Sequence, residues 1–593
     1  MKKFLLTSKF RGYSNKADVT NIDPSFLVPP SQNVIINDQE KIEVREGYSL
    51  DGPAGSTNLP IVSSYDWITS TGVERNIRTN STKMYYRYVD SAGAVTWRDI
   101  GITLVSGVTV NFAEWWSSTE ALDELLFVDK TAKMSMWSGG ITTFASATVN
   151  TVTKQGTTTW AESRFLKAGT RTIIIGGVSA TYTGGEGTTT LTGVSVDFSA
   201  TAVGSVIHQA VRTTADTPAA GITTDIIGVL NNYVYVADSS LRTVYVSKNT
   251  DYTSYIFTSP VRLPGEGALL TLDAPPVALV PQEEDMYISA QKDQWYRTVF
   301  TLSADLTKED LKVKRLKSGP GQGALSQSSV CQIKNAVLYI TNDKTVDTLG
   351  RIENINTPSS VPISDIVKSE FQDYTYTINP DTKYFKNKTY ITIPSESRMM
   401  IYDHEKSLWN PPQILPVQRL SIIGDSLYGH SSQTDETYLL FDGTNDNTNP
   451  IDWKMYFAYN NFGVRSWAKE FNEQYSEGYI STNTIATMVL KYDFGGFTSI
   501  VNKTIDGSDP TILFSTTTDN SLGKVPLGSQ PLGSITDSID NLSKFRVIHT
   551  LAKQDNFEFQ VGYEGSTTDD QFQLLAQGPN ALESDQDNIQ IKL

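Results

Sequence analysis

The chain has 593 residues, 49 basic and 65 acidic side chains, a formal net charge of −16, four histidines and one cysteine. That length exceeds one hydrophobic core, since single cores stop growing near about 250 residues, and three or four units are expected. An aromatic share of 10% is too high for an acidic disordered chain, a single thiol excludes a disulfide framework and cysteine-rich metal sites, and the acidic balance argues against a protein that grips phosphates with clustered Lys and Arg.

At the start, the apolar stretch ends at Leu6, and Lys9 and Arg11 interrupt it before a signal-peptide core can form. No run approaches the ~18 apolar residues of a spanning helix, so no membrane segment is expected. Residues 1–58 read as an extended arm with short platform strands. From there the periodicity is that of β structure. Met84-Tyr85-Tyr86-Arg87-Tyr88 is followed by Ala94-Val95-Thr96-Trp97, and Leu125-Leu126-Phe127-Val128 by Met134-Ser135-Met136-Trp137. Val234, Val236, Val244 and Val246 alternate with Tyr233, Tyr235 and Tyr245 around a polar turn at 237–241, which is a hairpin with β-branched and aromatic faces. Ala336-Val337-Leu338-Tyr339-Ile340 and Thr389-Tyr390-Ile391-Thr392-Ile393 continue the series. Units recur at roughly 40 to 70 residues, each an aromatic-rich strand followed by a polar turn, and that is the rhythm of propeller blades. The fold expected is all-β: a divergent β-propeller over 59–145 and 214–465, with stacked sandwiches as the alternative. Over 146–213 the composition shifts to Thr, Gly, Ala and Val, which reads as a small β domain inserted in a loop. The best helix candidate lies within 302–317. Residues 466–593 read as a C-terminal β-sandwich.

Leu522-Gly523, Leu527-Gly528 and Leu532-Gly533 repeat at a spacing of five, with Pro526 and Pro531 between them. Pro and Gly at this density preclude a helix or central strand. The loop either folds on its own domain or packs on a neighbouring subunit.

The catalytic inventory is thin. His208, His404, His430 and His549 lie far apart without metal-ligand spacing. Cys331 has no nucleophile context and reads as a small buried hydrophobe. Gly319-Pro320-Gly321-Gln322-Gly323 lacks the Lys-Ser/Thr of a phosphate loop, and Pro320 removes a donor. Lys312, Lys314, Arg315 and Lys317 form the densest basic cluster, either a contact to DNA or an acidic partner or a solvated strand face. Asp442-Gly443-Thr444-Asn445-Asp446-Asn447 carries oxygen ligands at the wrong spacing for an EF-hand and reads as a hairpin turn, with calcium as the alternative. Glu283-Glu284-Asp285 is the most obvious carboxylate cluster. No enzyme activity, cofactor or metal is expected.

Phe10-Arg11-Gly12-Tyr13, then Asn33-Val34-Ile35-Ile36 and Ile42-Glu43-Val44-Arg45-Glu46-Gly47-Tyr48, form a pattern that resembles the start of tail proteins of short-tailed bacteriophages, the tail nozzle or packaged-DNA stabilisation (tail hub) family. Lys388 to Pro394, Ile401-Tyr402-Asp403 and Leu408-Trp409-Asn410-Pro411-Pro412 resemble a blade of that family, and the Gly-rich insert resembles modules common in phage tails. The resemblance is loose and covers about two-thirds of the chain. It implies a structural virion protein, assembled in the host cytoplasm, forming a hexameric ring below the portal and adaptor that retains packaged DNA and conducts it at ejection without sequence-specific binding. It also implies an adaptor ring as partner, reached through the arm at Phe10, Arg11, Gly12, Arg45, Gly47 and Tyr48, and tail fibres as further partners. The acids Asp569, Asp570, Glu583, Asp585 and Asp587 either face the channel, where they would repel phosphates, or form a solvated edge. The alternative readings are a carbohydrate-binding or carbohydrate-cleaving propeller such as a receptor-binding tail spike, with Trp115-Trp116 as first candidate for stacking on sugar rings, and a fibre or baseplate adaptor.

Overall fold

The computed structural model describes residues 9–16, 22–53, 59–117, 120–168, 171–214, 217–218, 221–249, 251–255, 265–282, 284–302, 309–316, 323–334, 336–351, 358–459, 469–481, 484–492, 499–509, 513–514, 542–550, 555–556, 559–567 and 572–582. The chain is an all-β protein built on a β-propeller. Seven small antiparallel sheets follow one another, six of four strands and one of five. Their first strands are Ser63–Ile68, Asn111–Ser117, Ile226–Leu230, Pro276–Gln282, Val330–Ile333, Asp381–Phe385 and Val417–Ile423. Each touches the next and the seventh touches the first, closing a ring of blades 1 to 7.

The sequence pattern of the blades follows from this stacking. A blade is covered on both faces by its neighbours, so its second strand cannot alternate. Leu122–Val128 in blade 2 and Tyr233–Ala237 in blade 3 are buried at every position. That is why these strands read as unbroken apolar and aromatic runs. Leu126, Val128 and Met136 of blade 2 pack against Ile227, Val234 and Val236 of blade 3, and the opposite face of blade 3 packs on blade 4 through Tyr235, Val244 and Met286.

Blade 7 has only three strands of its own, and its fourth is Tyr48–Leu50 of the N-terminal arm, paired with Thr437–Leu440. The ring is therefore closed by chain from opposite ends of the sequence. The rest of the arm joins a two-sheet sandwich. In one sheet Gly12–Tyr13 and Phe26–Gln32 pair in order with Ile451–Phe457, Phe559–Thr567, Ile485–Tyr492 and Ser499–Asp506. In the other Val34–Ile36 and Ile42–Val44 continue into Phe572–Leu582, Lys469–Ser481, Leu542–Thr550 and Leu513–Phe514. The sandwich thus starts at Ile451 and is shared between both ends of the chain, instead of starting at 466 with a separate arm. Hairpin periodicity marks strands but not their distant partners, so this sharing was invisible in the sequence.

The insert is also bounded differently from the 146–213 expected. Its six strands run from Ile141–Thr148 to Val206–Gln209, and Arg212–Thr213 already belongs to blade 2 as its outer strand. It has its own core around Trp160, Phe165, Ile173, Leu191 and Ile207. Gly139 and Gly140 form its entry. Gly139 has φ +75°, and a Cβ there would stand 2.8 Å from the Trp67 ring, so the crossing accepts no side chain. The helix expected within 302–317 is instead strand: Glu309–Arg315 pairs with Gln294–Leu302 as the edge of blade 4. Its alternation of Leu311 and Val313 with charged residues has period 2, and the ladder decides the conformation. Among the described residues the α-helix is a short one, Lys368–Asp373. No helix among them is long and apolar enough to cross a membrane.

Candidate functional site

Three places gather polar side chains, and the first is the joint between arm, propeller and sandwich. Asn33, in a left-handed conformation (φ 55°), is its hub. Its Oδ1 accepts from the Ile414 N–H at 2.7 Å and from Arg45 Nε at 3.2 Å, and its Nδ2 donates to the Asp452 carbonyl at 2.7 Å. Arg45 is 2% exposed and reaches both carboxylate oxygens of Asp446, at 2.7 and 2.6 Å, and the Ile414 and Glu46 carbonyls. Gly47 donates to the Gly443 carbonyl at 2.8 Å, and a Cβ on it would lie 1.8 Å from the Asn445 carbonyl oxygen. From blade 6, Asn410 accepts from the Ile36 N–H at 2.8 Å, Gln413 donates to the Val34 carbonyl at 2.9 Å, and buried Trp409 donates to the Ile363 carbonyl at 2.9 Å. Two stretches singled out separately in the sequence, Arg45-Glu46-Gly47-Tyr48 and Asp442 to Asn447, are thus one structure. The calcium alternative for the second stretch falls, because the Asp446 carboxylate is taken by a guanidinium fork.

The same geometry encloses four of the six residues expected to contact an adaptor. Phe10 (2% exposed) packs on Phe457, Gly12 lies against Trp409, and Arg45 and Gly47 are enclosed. Tyr48, half-buried, meets the Tyr438 ring at a tilt, with centroids 4.8 Å apart. Arg11 is the exposed member, ion-paired with Asp23 at 3.1 Å. A side chain consumed by its own chain has no surface left for a partner.

The second place is the propeller axis, a hollow of about 470 Å³ lined by first strands, with Asp66, Asp381, Lys383, Arg419 and Cys331. Lys383 Nζ pairs with Asp66 at 3.0 Å, Asp381 accepts from the Leu420 N–H at 2.8 Å, and Arg419 donates to the Val62 and Asn379 carbonyls at 2.7 and 2.8 Å. Burial lowers the proton affinity of Lys383, but Asp66 and Asp381 outweigh it and the ammonium is held more tightly than usual. Burial pushes the Asp381 carboxyl up. Two acids and two bases bound across blades 1, 6 and 7 stitch the ring, since breaking such a group leaves a buried charge uncompensated. Cys331 beside them has its thiol pushed up by burial. Partly exposed but with its proton held, it is expected to react more slowly with iodoacetamide at pH 8 in the native protein than in denaturant, as mass spectrometry would show; equal rates would refute this.

The third place is a cleft of about 890 Å³ between the insert and blades 1 to 3. The insert is docked beside it by buried polar contacts. Arg164 donates to the Ser138 carbonyl at 2.8 Å and to Asp123 at 3.1 Å, and its guanidinium lies 5.1 Å from the centre of the Trp67 ring. Glu120 accepts from the Lys167 and Ala168 N–H groups at 2.6 and 3.0 Å. Behind the cleft wall, Glu124 is fully enclosed; it receives the Arg212 guanidinium and the Tyr252 hydroxyl, the latter at 2.8 Å. Burial raises Glu124, and Arg212 and Tyr252 work against that rise. His208 closes the wall edge-on to Tyr86 at 6.2 Å, and its Nε2 has no hydrogen-bond partner. Burial holds this imidazole neutral, with its pKa pushed down to about 4. The sequence signal for this site was weak: Arg212 and Tyr252 are separated from Asp99 by the whole insert, and His208 lies in the insert's last strand.

Trp115 is buried against Tyr252 at 5.4 Å and cannot stack on a sugar, whereas Trp116 is half-exposed. Lys312, Lys314 and Arg315 are exposed on their strand, and Asp285 pairs with Arg297 at 3.3 Å. Lys317, Glu283, the segment 319–322, the whole loop from Leu522 to Gly533, and Asp569, Asp570, Glu583, Asp585 and Asp587 lie outside the described residues. No group of His, Cys, Asp or Glu among the described residues is arranged to hold a metal ion.

No protein-family model and no curated protein matches the chain. Among solved structures it is similar to the computationally designed protein Ika8, at 12% identity over 67% of this chain and 99% of that one with a TM-score of 0.34. It is also similar to BamB from Moraxella catarrhalis, at 10% identity over 65% and 98% with a TM-score of 0.27, and to Hsv2 from Kluyveromyces lactis, at 10% over 59% and 96% with a TM-score of 0.23. These likenesses concern the propeller fold alone.

Proposed function

We propose that the chain is a structural subunit of a short-tailed phage tail, a nozzle or hub protein whose ring lies below the portal and adaptor and guides DNA. The observation that carries this reading is the joint. The residues that bear the family resemblance, Asn33, Arg45, Gly47, Trp409 and Asn410, are those that lock arm, blades and sandwich into one body. A joint tied this closely suits a wall element that must hold its shape under load. The propeller axis is a small hollow crossed by the Lys383–Asp66 ion pair, so the conduit in this reading runs between subunits and not through a propeller. A net charge of −16 suits a wall that DNA slides along without sticking. With Phe10, Gly12, Arg45 and Gly47 enclosed, docking on the adaptor in this reading falls to exposed Arg11, half-buried Tyr48 and other surfaces.

Cryo-electron microscopy of the particles tests the proposal, with density for this propeller expected in the tail axis; a particle whose tail lacks it would sink the idea. The purified chain is expected to be monomeric by light scattering and to oligomerise on its partner ring. Stable hexamers formed without any partner would contradict that second expectation.

A further inference from the structure

We propose that the cleft between the insert and blades 1 to 3 is a binding site for a neutral oligosaccharide. The inference stands apart from the structural role above, and either can fail without the other. At about 890 Å³ the cleft has the size of small-molecule sites, about 300–1,000 Å³. Its charged groups come as one of each sign and both are held in place. The Arg212 guanidinium is fixed by enclosed Glu124, which the Tyr252 hydroxyl also supports. The Asp99 carboxylate is oriented by the Gly101 N–H at 2.7 Å and by Lys83 at 2.8 Å. An oriented guanidinium and an oriented carboxylate are a donor and an acceptor set for adjacent hydroxyls, and preorganisation lowers the ordering cost of binding.

The rest of the lining fits the same chemistry. Thr172, Ser179 and Thr253 offer hydroxyls, while Ile102 and Ile174 offer apolar surface for the C–H face of a ring. His208 lies nine-tenths buried in the wall with Nε2 unpartnered. Its Nε2 is itself enclosed, so the ring lends the wall a neutral surface and leaves ligand hydroxyls to Arg212, Asp99 and the Thr and Ser groups. The cleft has no surplus of positive charge, and its histidine stays neutral at physiological pH, so a phosphate or nucleotide finds no excess cation there.

The test applies the labelled full chain to an array of neutral and acidic glycans, followed by calorimetric titration with the strongest neutral binder. Two variants locate the site: Ser179→Trp, which fills the cleft from an exposed position, and Asp99→Asn, which removes the acceptor charge from a half-exposed one. Neutral glycans should bind, and each variant should weaken binding at least about tenfold while melting like the wild type. Should Ser179→Trp melt early, Asp99→Asn alone carries the test. Absence of glycan binding up to about 1 mM, unchanged affinity in a variant that melts like the wild type, or competition by inorganic phosphate in place of neutral sugar would overturn the proposal.

Discussion

Replacing Arg45 with alanine is expected to destabilise the protein by about 3–5 kcal/mol. Arg45 is enclosed, and its fork satisfies both Asp446 oxygens, the Asn33 side chain and two carbonyls. Its removal leaves a carboxylate only 15% exposed without its counter-charge, and several acceptors without donors. Arg45→Lys keeps the charge but supplies a point donor in place of a planar fork, so it should recover only part of the loss. The double variant Arg45→Ala/Asp446→Ala removes the stranded charge as well and should cost less than the sum of the two single changes. Urea unfolding at pH 7 with a probe in the sandwich and one in blade 7 would measure this. Because the residue ties both bodies, both probes should move, and a loss below about 1 kcal/mol would refute the assignment of Arg45 as the lock.

The second large effect is acid destabilisation well above the usual carboxylate range. His208 is neutral in the fold with its pKa near 4 because of burial; Asp99 pulls it up slightly, while Arg98 and burial push it down. His430 is held well below its ordinary value by burial, with Arg78 and Lys383 adding to the effect. Its two ring nitrogens are bonded to Thr437 and Ser421, each at 2.9 Å. In the unfolded chain both titrate near 6.5. Between the folded and unfolded values the unfolded state binds more protons, so stability rises with pH there. The contribution is fully present above 6.5 and is lost as pH falls toward 4; for His208 the gap corresponds to about 3 kcal/mol. Glu43, Glu114 and Glu124, raised by burial, take up protons in the fold and oppose the trend, so the histidine term must be isolated by substitution. Thermal melts from pH 7.5 to 4.5 should fall steeply for the wild type and less steeply for His208→Gln and His430→Gln. Equal slopes for all three would show that neither ring is forced to stay neutral.

Much of the fold was legible because blades are local. The strands of blades 1, 3, 4, 5 and 6 are neighbours in sequence, and burial on both faces writes itself as apolar runs such as Leu125 to Val128. The strand at Glu309–Arg315 was misread as a helix because a short charged segment with two apolar residues carries little period, and the ladder with Gln294–Leu302 settles its conformation. The enclosure of Arg45 and Gly47 has a related reason. Arg45 and Gly47 stand out by type and spacing, but whether such residues face outward or inward depends on the Asp442 to Asn447 loop roughly four hundred positions away.

The amino-acid sequence by itself determined the all-β class, the blade rhythm, the presence of an insert and the absence of any cysteine framework, since these depend on composition and on contacts within tens of residues. Only the tertiary structure decided that seven blades close through Tyr48–Leu50, that both ends of the chain share one sandwich, and that Arg212, Asp99 and His208 meet across a cleft. Those features are pairings between distant segments. Hydrogen bonds and burial select them by geometry, and no local pattern of residues encodes which distant strand will arrive.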